Sequence, residues 1–111
     1  NVRPFPNIYE GLKSNLLLYN QLDYINIFIN NFIKKNIAVL IHCHYGWQRS
    51  ASTCAAFLMY KYKITKSAAM RHVQIKRRFA LFPDSSFELA LRLYEKNLKK
   101  KNILFNNKCK I

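Results

Sequence analysis

The stretch from residue 37 to residue 52 constrains the fold of this chain more than any other part of its sequence. Residues 37–41 are five consecutive apolar side chains, three of them β-branched, which is typical of a strand buried on both faces. From Ser50 onward the apolar side chains recur at helical spacing, at positions 51, 54, 55, 58, 59 and 62. The stretch therefore predicts a strand over Ile37–His42, a short loop, and a helix that ends near Tyr62.

The loop between this strand and this helix carries groups that suit a bound anion. Cys43 and Arg49 stand six positions apart, and Gly46 lies between them. A helix N-terminus directs backbone N–H groups at the loop, and the same environment lowers the pKa of a cysteine thiol. A guanidinium can hold two phosphate oxygens at once, and the Ser50 hydroxyl could hydrogen-bond the cysteine sulfur. These residues predict covalent catalysis, in which the Cys43 thiolate attacks a bound phosphoryl group.

The sequence His42-Cys43-x5-Arg49-Ser50 resembles the signature of the cysteine-dependent protein phosphatases, and the helix after it resembles their dual-specificity branch. The resemblance covers residues 37–95 well and residues 15–36 weakly. Its later landmarks are Ala69, Val73, Arg77, Arg78 and residues 83–87, where the family usually has Asn at the position of Asp84. It implies hydrolysis of phosphotyrosine and phosphoserine or phosphothreonine in proteins, without a cofactor.

The resemblance also implies roles for single residues. Cys43 is the nucleophile, Arg49 binds the phosphoryl group, and Ser50 assists breakdown of the phosphocysteine. The substrate-binding positions are those of the loop: His44, Tyr45, Gly46, Trp47, Gln48 and Arg49. No metal site is expected, because the neighbouring residues 42–44 cannot easily converge on one tetrahedral ion. Cys54 lies on the apolar stripe of the helix and is predicted to be core.

The general acid is where the chain departs from the family, which uses an aspartic acid a little over thirty residues before the cysteine. No Asp lies there, and Asp23 is only 20 residues before Cys43, inside a predicted helix. Glu10 lies 33 residues before Cys43 and has a similar intrinsic acidity. We therefore predict Glu10 as the acid; the alternative is a substrate whose leaving group needs no proton, such as a triphosphate end.

The rest of the chain predicts three more helices after an irregular segment, Asn1–Lys13, that contains two prolines. The first begins at Ser14 or Asn15 and runs to about Lys35, and the second runs from Lys66 to about Phe79 behind a Thr65 cap. The inward residues of these two helices are predicted as Leu18, Leu22, Ile25, Ile29, Phe32 and Ile33, then Ala69 and Val73.

The last helix is predicted to start at a capping box formed by Ser85 and Glu88 and to run to about Lys100. Its buried residues are predicted as Phe87, Ala90, Leu91, Tyr94 and Leu98. Together with the resemblance, this pattern predicts an α/β fold with a phosphatase-like central sheet flanked by helices. Because Ile37–His42 is the one convincing strand, we expect a mostly helical version with the N-terminal strands reduced or absent.

At 111 residues the chain predicts one domain, 1–111, with a basic tail over 98–111, and its start at Asn1 is compatible with a truncated domain. Its formal net charge is +14, and residues 57–111 hold fourteen of the basic residues against three acids. Such a surface predicts contact with a polyanion, RNA or an anionic lipid, or else a set of solvated helix faces.

Three irregularly spaced cysteines and no apolar run of membrane-spanning length favour a reducing compartment, the cytoplasm or the nucleus. Three functions remain open beside the protein phosphatase: an RNA 5′-triphosphatase, a phosphoinositide phosphatase, and a phosphate-binding module that has lost turnover. The complete set of Cys43, Arg49 and Ser50 favours an enzyme, since a binding module has no use for a thiolate.

Overall fold

The computed structural model describes residues 8–41, 48–76 and 87–101, and in these ranges the chain forms four helices. They are α1 (Ile8–Lys34), α2 (Gln48–Tyr62), α3 (Lys66–Lys76) and α4 (Glu88–Lys100). The described residues contain no extended strand, so this part of the predicted α/β fold is helical. Within the same ranges, no helix combines the length and the apolar composition that a membrane crossing needs.

Helices α2 and α4 each contact the other three helices, and α2 is the one whose first turn carries the candidate site. Its buried side chains are mostly small, which lets the neighbouring helices approach closely. They include Ala51, Ser52, Ala55, Ala56 and Met59, with Cys54 packed against the core as the sequence predicts. Tyr62, the last residue of the predicted stripe, is instead 40% exposed at the end of the helix.

Helix α1 begins six residues earlier than predicted, at Ile8, so residues 8–13 are not irregular. Its buried stripe contains the predicted Leu18, Leu22 and Ile29. Ile25 and Phe32 are half-buried, whereas Ile33 is exposed, and the prediction for Ile33 is wrong. Two buried amides, Asn15 and Asn26, complete the stripe, and apolar periodicity alone gives no signal for them.

One contact between α1 and α4 accounts for two sequence-based caps that are wrong. Asn15 does not cap α1; its Oδ1 accepts a hydrogen bond from the N–H of Ala90, 2.9 Å away, in the first turn of α4. This contact replaces the predicted capping box: Phe87 holds the cap position without a side-chain hydrogen bond, and Ser85 lies outside the described residues. A side chain from another helix thus satisfies a donor that the local sequence leaves unpaired.

The predicted Thr65 cap of α3 is confirmed, because its Oγ1 accepts a hydrogen bond from Ala68 N at 3.2 Å. A second acceptor comes from α4, where Glu95 Oε2 lies 2.6 Å from the N–H of Lys66. Glu88 also pairs with the Lys66 ammonium. Ala69 and Val73 are buried as predicted, and the predicted end of α3 at Phe79 lies beyond the described residues.

The predicted inner face of α4 is confirmed in full: Phe87, Ala90, Leu91, Tyr94 and Leu98 are all buried. The helix runs to Lys100, so residues 98–100 belong to it rather than to the predicted basic tail. Lys101, directly after it, pairs with Asp23 Oδ2 at 3.2 Å. That exposed ion pair joins the end of α4 to the middle of α1.

The turn after α1 sets the direction of the chain toward the candidate site. Asn36 takes a positive φ of 59°, and its N–H bonds Ile33 O at 2.9 Å. The N–H of Ile37 reaches Phe32 O at 3.0 Å, which completes a Schellman motif. Asparagine is the non-glycine residue best suited to this left-handed position.

The predicted strand over Ile37–His42 is wrong for residues 37–41, and His42 lies outside the described residues. These five residues have no regular secondary structure, and Ile37 and Leu40 are 45% and 83% exposed. A strand requires a neighbouring strand to bond its backbone, and the described residues supply none. The apolar run alone therefore does not decide the structure of this segment.

A buried hydrogen bond joins α1 to α4 across the core. Asn26 Nδ2 donates to the Tyr94 hydroxyl at 2.9 Å, and both side chains are almost completely buried. Burial is the main cause that raises the pKa of the Tyr94 hydroxyl above its usual range. The pKa of Tyr94 is higher in the folded state than in the unfolded state. Its contribution to stability is therefore full below pH about 10, where an unfolded tyrosine keeps its proton, and this contribution decreases as the pH rises further.

Replacing Tyr94 with Phe should lower the free energy of unfolding by about 1–3 kcal/mol at pH 7, because buried Asn26 then loses its acceptor. The difference in the free energy of unfolding should narrow above pH 10. There, ionisation of this phenol in the unfolded state lowers the stability of the wild type, and the variant has no phenol at this position. Urea unfolding between pH 7 and 11 measures both effects. Tyr24→Phe is the control, because Tyr24 is 73% exposed and should show no difference at any pH.

Candidate active site

The first turn of α2 holds the two predicted site residues whose side chains the structure describes. Arg49 is exposed and Ser50, the next residue, is 3% exposed, so the pair spans the boundary between surface and core. Thr53 Oγ1 donates to the Arg49 carbonyl at 2.9 Å and thereby ties this turn to the next. Helix α2 begins at Gln48, as expected for a loop that ends at a helix N-terminus.

The Arg49 guanidinium lies over the ring of Phe87, with its carbon 5.8 Å from the ring centroid. This cation–π contact links the start of α2 to the start of α4. It restricts a long side chain that would otherwise sample many rotamers. The sequence predicts that Phe87 is buried but gives no signal for this contact, because the two residues are 38 positions apart.

The N-terminus of α2 differs in charge from those of α3 and α4. The start of α3 has two carboxylates beside it, those of Glu95 and Glu88. The start of α4 has the amide oxygen of Asn15 and the carboxylate of Glu88. The first turn of α2 contains no acidic residue, and Arg49 adds a positive charge. Because a helix N-terminus already carries a partial positive charge, this end of α2 suits an anion from outside the described residues.

The Ser50 hydroxyl is the second distinctive feature of this turn. Its Oγ is buried, and none of the described residues hydrogen-bonds it. Most buried side-chain polar atoms in proteins are paired, so an unpaired hydroxyl at a helix N-terminus needs an explanation. A hydrogen bond to the sulfur of Cys43, which the sequence predicts, would supply its partner.

The remaining predicted residues are placed only in part. Cys43, His44, Tyr45, Gly46 and Trp47 lie outside the described residues. Of Gln48, the structure describes the backbone alone, as the first residue of α2. The structure therefore brings Arg49 and Ser50 together and does not test the predicted roles of the other loop residues.

Glu10 lies in the first turn of α1, and its side chain is outside the described part of the chain. The prediction that it sits on an irregular, proline-rich segment is wrong. A helical position fixes its backbone more firmly than a loop would. Its role as general acid stays a prediction.

Residues 39–41 lead toward the loop and form one side of an open groove of about 340 Å³. The opposite side is α1, through Leu18, Ile25, Phe28 and Ile29 among others. Arg49, Ser50 and Thr53 close the groove at the start of α2. The segment before the loop thus faces α1, and its direction follows from the turn at Asn36.

Comparison with known proteins places the chain in a family. Residues 8–97 match the catalytic domain of the dual specificity phosphatases. A protein of Acanthamoeba polyphaga mimivirus named as a tyrosine-protein phosphatase is 37% identical over 99 residues, which are 86% of this chain and 45% of that protein. The yvh1 tyrosine-protein phosphatase of Schizosaccharomyces pombe is 33% identical over 87 residues, 78% of this chain and 26% of its own length.

A third relative, from Invertebrate iridescent virus 6 and named as a tyrosine phosphatase, is 31% identical over 89% of this chain and 68% of that protein. No solved structure matches the chain. The chain belongs to the dual specificity phosphatase family, whose members are cysteine-based protein phosphatases. It spans less than half the length of the mimivirus and fission yeast relatives.

Substituting Ser50 with Ala should lower turnover and change the free energy of unfolding by no more than about 1.5 kcal/mol. The change in stability is expected to be small because none of the described residues hydrogen-bonds the hydroxyl, so only the predicted bond to the Cys43 sulfur is lost. If Ser50 assists breakdown of the phosphocysteine, rapid-mixing assays should show a burst of product followed by slow turnover. Ser52→Ala, an equally buried substitution two positions later, should show no burst; a Ser50→Ala enzyme with wild-type kinetics would contradict the assigned role.

Proposed function

We propose that this chain is the catalytic core of a dual-specificity protein phosphatase, which hydrolyses phosphotyrosine and phosphoserine or phosphothreonine in proteins. The observation that carries the proposal is the first turn of α2, which contains no acidic residue. There Arg49 stands beside the buried Ser50 hydroxyl, which none of the described residues hydrogen-bonds. The family match and the names of the relatives support the same chemistry.

The reaction proceeds in two steps through Cys43. Its thiolate attacks phosphorus, a sulfur–phosphorus bond forms, and the bond from phosphorus to the substrate oxygen breaks. The departing oxygen takes a proton from the general acid, for which we propose Glu10. Water then attacks phosphorus and gives a proton to the Glu10 carboxylate, which restores the acid. The sulfur–phosphorus bond breaks, inorganic phosphate leaves, and the Ser50 hydroxyl stabilises the returning thiolate.

Arg49 and the loop bind the phosphoryl group in both steps. Two guanidinium N–H groups can bond two phosphoryl oxygens, and the contact with Phe87 restricts where the guanidinium lies. The backbone N–H groups of residues 44–48 supply the remaining donors in this proposal. Donors fixed before the reaction stabilise charge that develops in the transition state.

The charge of the surface favours an acidic phosphoprotein as the substrate. Each described carboxylate side chain already pairs with a lysine: Asp23 with Lys101, Glu88 with Lys66, and Glu95 with Lys99. Residues 48–76 carry six basic residues and no acid. Of these six, Lys66 alone pairs with a described carboxylate, so acidic side chains flanking the phosphorylated residue would meet cations that have no acidic partner among the described residues.

The same positive charge is compatible with two alternative substrates of this site, an RNA 5′-triphosphate and a phosphoinositide. It is also compatible with binding of RNA or an anionic lipid by the basic C-terminal half. Lys76, Arg77 and Arg78 are three consecutive basic residues in this half of the chain. Lys76 is exposed at the end of α3, and the two arginines lie outside the described residues. A catalytically impaired phosphate-binding module is the further alternative.

We propose a reducing compartment, the cytoplasm or the nucleus, because Cys43 must stay a thiol.

Replacing Cys43 with Ser should abolish turnover of an aryl phosphate and of phosphopeptides while preserving phosphate affinity, because a serine hydroxyl is not ionised here. Cys54→Ser, which changes a partly buried cysteine of the core, is the matched control and should retain turnover per folded molecule. Retained activity in Cys43→Ser would reject the nucleophile. Wild-type rates that are higher on RNA 5′-triphosphate or phosphoinositide than on phosphopeptide would select those alternatives, and no turnover on any substrate would select the binding module.

Replacing Glu10 with Gln should slow hydrolysis of esters with poor leaving groups by about 10²–10⁴-fold and change little for good leaving groups. It should also remove the basic limb of the pH–rate profile, since that limb reports loss of the proton. Asp23→Asn is the control, because Asp23 pairs with Lys101 and lies in the middle of α1. Equal rates for Glu10→Gln and the wild type on a phosphotyrosine peptide would remove Glu10 from the mechanism and favour a triphosphate substrate.

A further inference from the structure

The outward face of α4 carries a row of three exposed basic residues. Arg92, Lys96 and Lys100 stand four positions apart, so they lie one above another on the same side of the helix. We call these three residues the α4 basic stripe. It spans about 12 Å along the helix axis, and the opposite face of the helix is buried in the core.

The acidic residues of α4 do not compensate the charge of the stripe. Glu88 pairs with Lys66 of α3, and Glu95 accepts the Lys66 N–H and lies 4.0 Å from Lys99. No described carboxylate pairs with a residue of the stripe. Like charges four positions apart on a helix repel each other, so the stripe slightly lowers the stability of the free chain. A partner with negative charges would remove this repulsion.

The other side chains of this face favour carboxylates over a membrane or a nucleic acid. Leu89 and Leu93, three positions before Arg92 and Lys96, are half-buried, and no large apolar side chain of α4 is exposed. A helix that binds a lipid surface inserts such side chains. Tyr94, the one aromatic residue of α4, is buried, so the face offers no ring on which a base could stack. A row of charges without exposed apolar or aromatic side chains suits an acidic polypeptide segment.

We propose that the α4 basic stripe binds an acidic segment of the phosphoprotein substrate, at a distance from the phosphorylated residue. The occupant is a separate polypeptide of a different kind. Each described carboxylate of this chain pairs with a lysine outside the stripe, and a second copy would bring another formal charge of +14. The identity of the partner as a substrate rests on the proposed phosphatase function.

The stripe and the candidate active site lie on different sides of α4. Phe87, whose ring lies beneath the Arg49 guanidinium, is buried at the start of the helix, and Arg92 follows five residues later on the exposed side. A substrate held at both places must pass about 7 Å along the helix and around half of a cylinder about 10 Å across. That path needs about five or more extended residues. The acidic segment is therefore distinct from acidic side chains next to the phosphorylated residue.

The test measures binding of a fluorescein-labelled, unphosphorylated, Glu-rich peptide to the 111-residue chain by fluorescence anisotropy at low ionic strength. The comparison peptide has Gln in place of each Glu. We expect the Glu peptide to bind, the Gln peptide to bind far more weakly, and added salt to weaken the binding of the Glu peptide. Combining Arg92→Gln, Lys96→Gln and Lys100→Gln (the stripe variant) should weaken that binding by about tenfold or more, because three exposed ion pairs are lost.

A second triple variant controls for net charge. Lys13, Lys34 and Lys35 are exposed on α1 and in the turn after it, and replacing all three with Gln lowers the formal charge as much as the stripe variant does. This control should bind the Glu peptide like the wild type. Circular dichroism checks that both variants are folded, and Lys96→Gln alone should give a smaller loss in the same direction if the stripe variant is not.

Two binding results would overturn the proposal. Equal weakening in both triple variants would show a general effect of charge and no site on α4. Tighter binding of an RNA duplex or of phosphatidylserine vesicles than of the Glu peptide, lost in the stripe variant, would assign the stripe to a nucleic acid or a lipid surface.

Kinetics separate this inference from the proposed function. A phosphotyrosine peptide joined through eight Gly and Ser residues to the Glu block should have a lower KM than one joined to the Gln block, with equal kcat. The stripe variant should remove this difference, and equal KM values in the wild type would contradict docking of the substrate. A chain that turns over neither peptide would reject the proposed function, while anisotropy still decides whether the stripe binds the acidic segment.

Discussion

The burial of α2 among three other helices is the constraint on which the candidate site depends. A phosphate-binding turn is useful only if its helix N-terminus stays in one place, and α2 has little freedom because small side chains bring its neighbours close. The same packing buries Ser50 and leaves Arg49 at the surface, one position apart. The boundary between core and solvent thus falls at the turn where we propose that a phosphoryl group binds.

The surrounding helices are held by polar contacts between distant parts of the chain. Asn15 of α1 binds the first turn of α4, and Glu95 of α4 binds the first turn of α3. The buried pair of Asn26 and Tyr94 adds a further connection between α1 and α4. Because an unpaired buried polar group is costly, each contact favours one arrangement of the helices over alternatives with equal apolar burial.

These polar contacts also explain the charge of the site. The starts of α3 and α4 are supplied with carboxylate or amide oxygens by the chain itself, and the first turn of α2 has no acidic residue. The described carboxylates are engaged with lysines, so they do not compete for Arg49. The division of charge leaves the positive end of α2 for an anionic ligand.

The family resemblance implies a central sheet, and the described residues contain none. The exposed apolar surface of α1 and of residues 37–41 lies where such a sheet would be expected. The five-residue run has the composition of a buried strand, but it lacks a neighbouring strand among the described residues. Since strand structure depends on pairing, composition and local order cannot create it alone. The structure describes the helix that carries Arg49 and Ser50, and the described residues contain no strand beside it.

The sequence by itself determined the features that depend on local spacing. It predicted the end of α2 at Tyr62, the cap at Thr65 and all five inward residues of α4, because helical periodicity and first-turn hydrogen bonds involve residues three or four positions apart. It also indicated the phosphatase family, because the spacing of Cys43 and Arg49 lies within one short stretch.

Tertiary structure decided the features that join distant residues. Asn15 caps a helix 75 positions away instead of its own, Asn26 lies in the core, and Phe87 contacts Arg49. Residues 37–41 remained outside any strand for the same reason, since a strand requires a partner. Local spacing determines which face of a helix is apolar, but only the packed arrangement determines which polar group meets which.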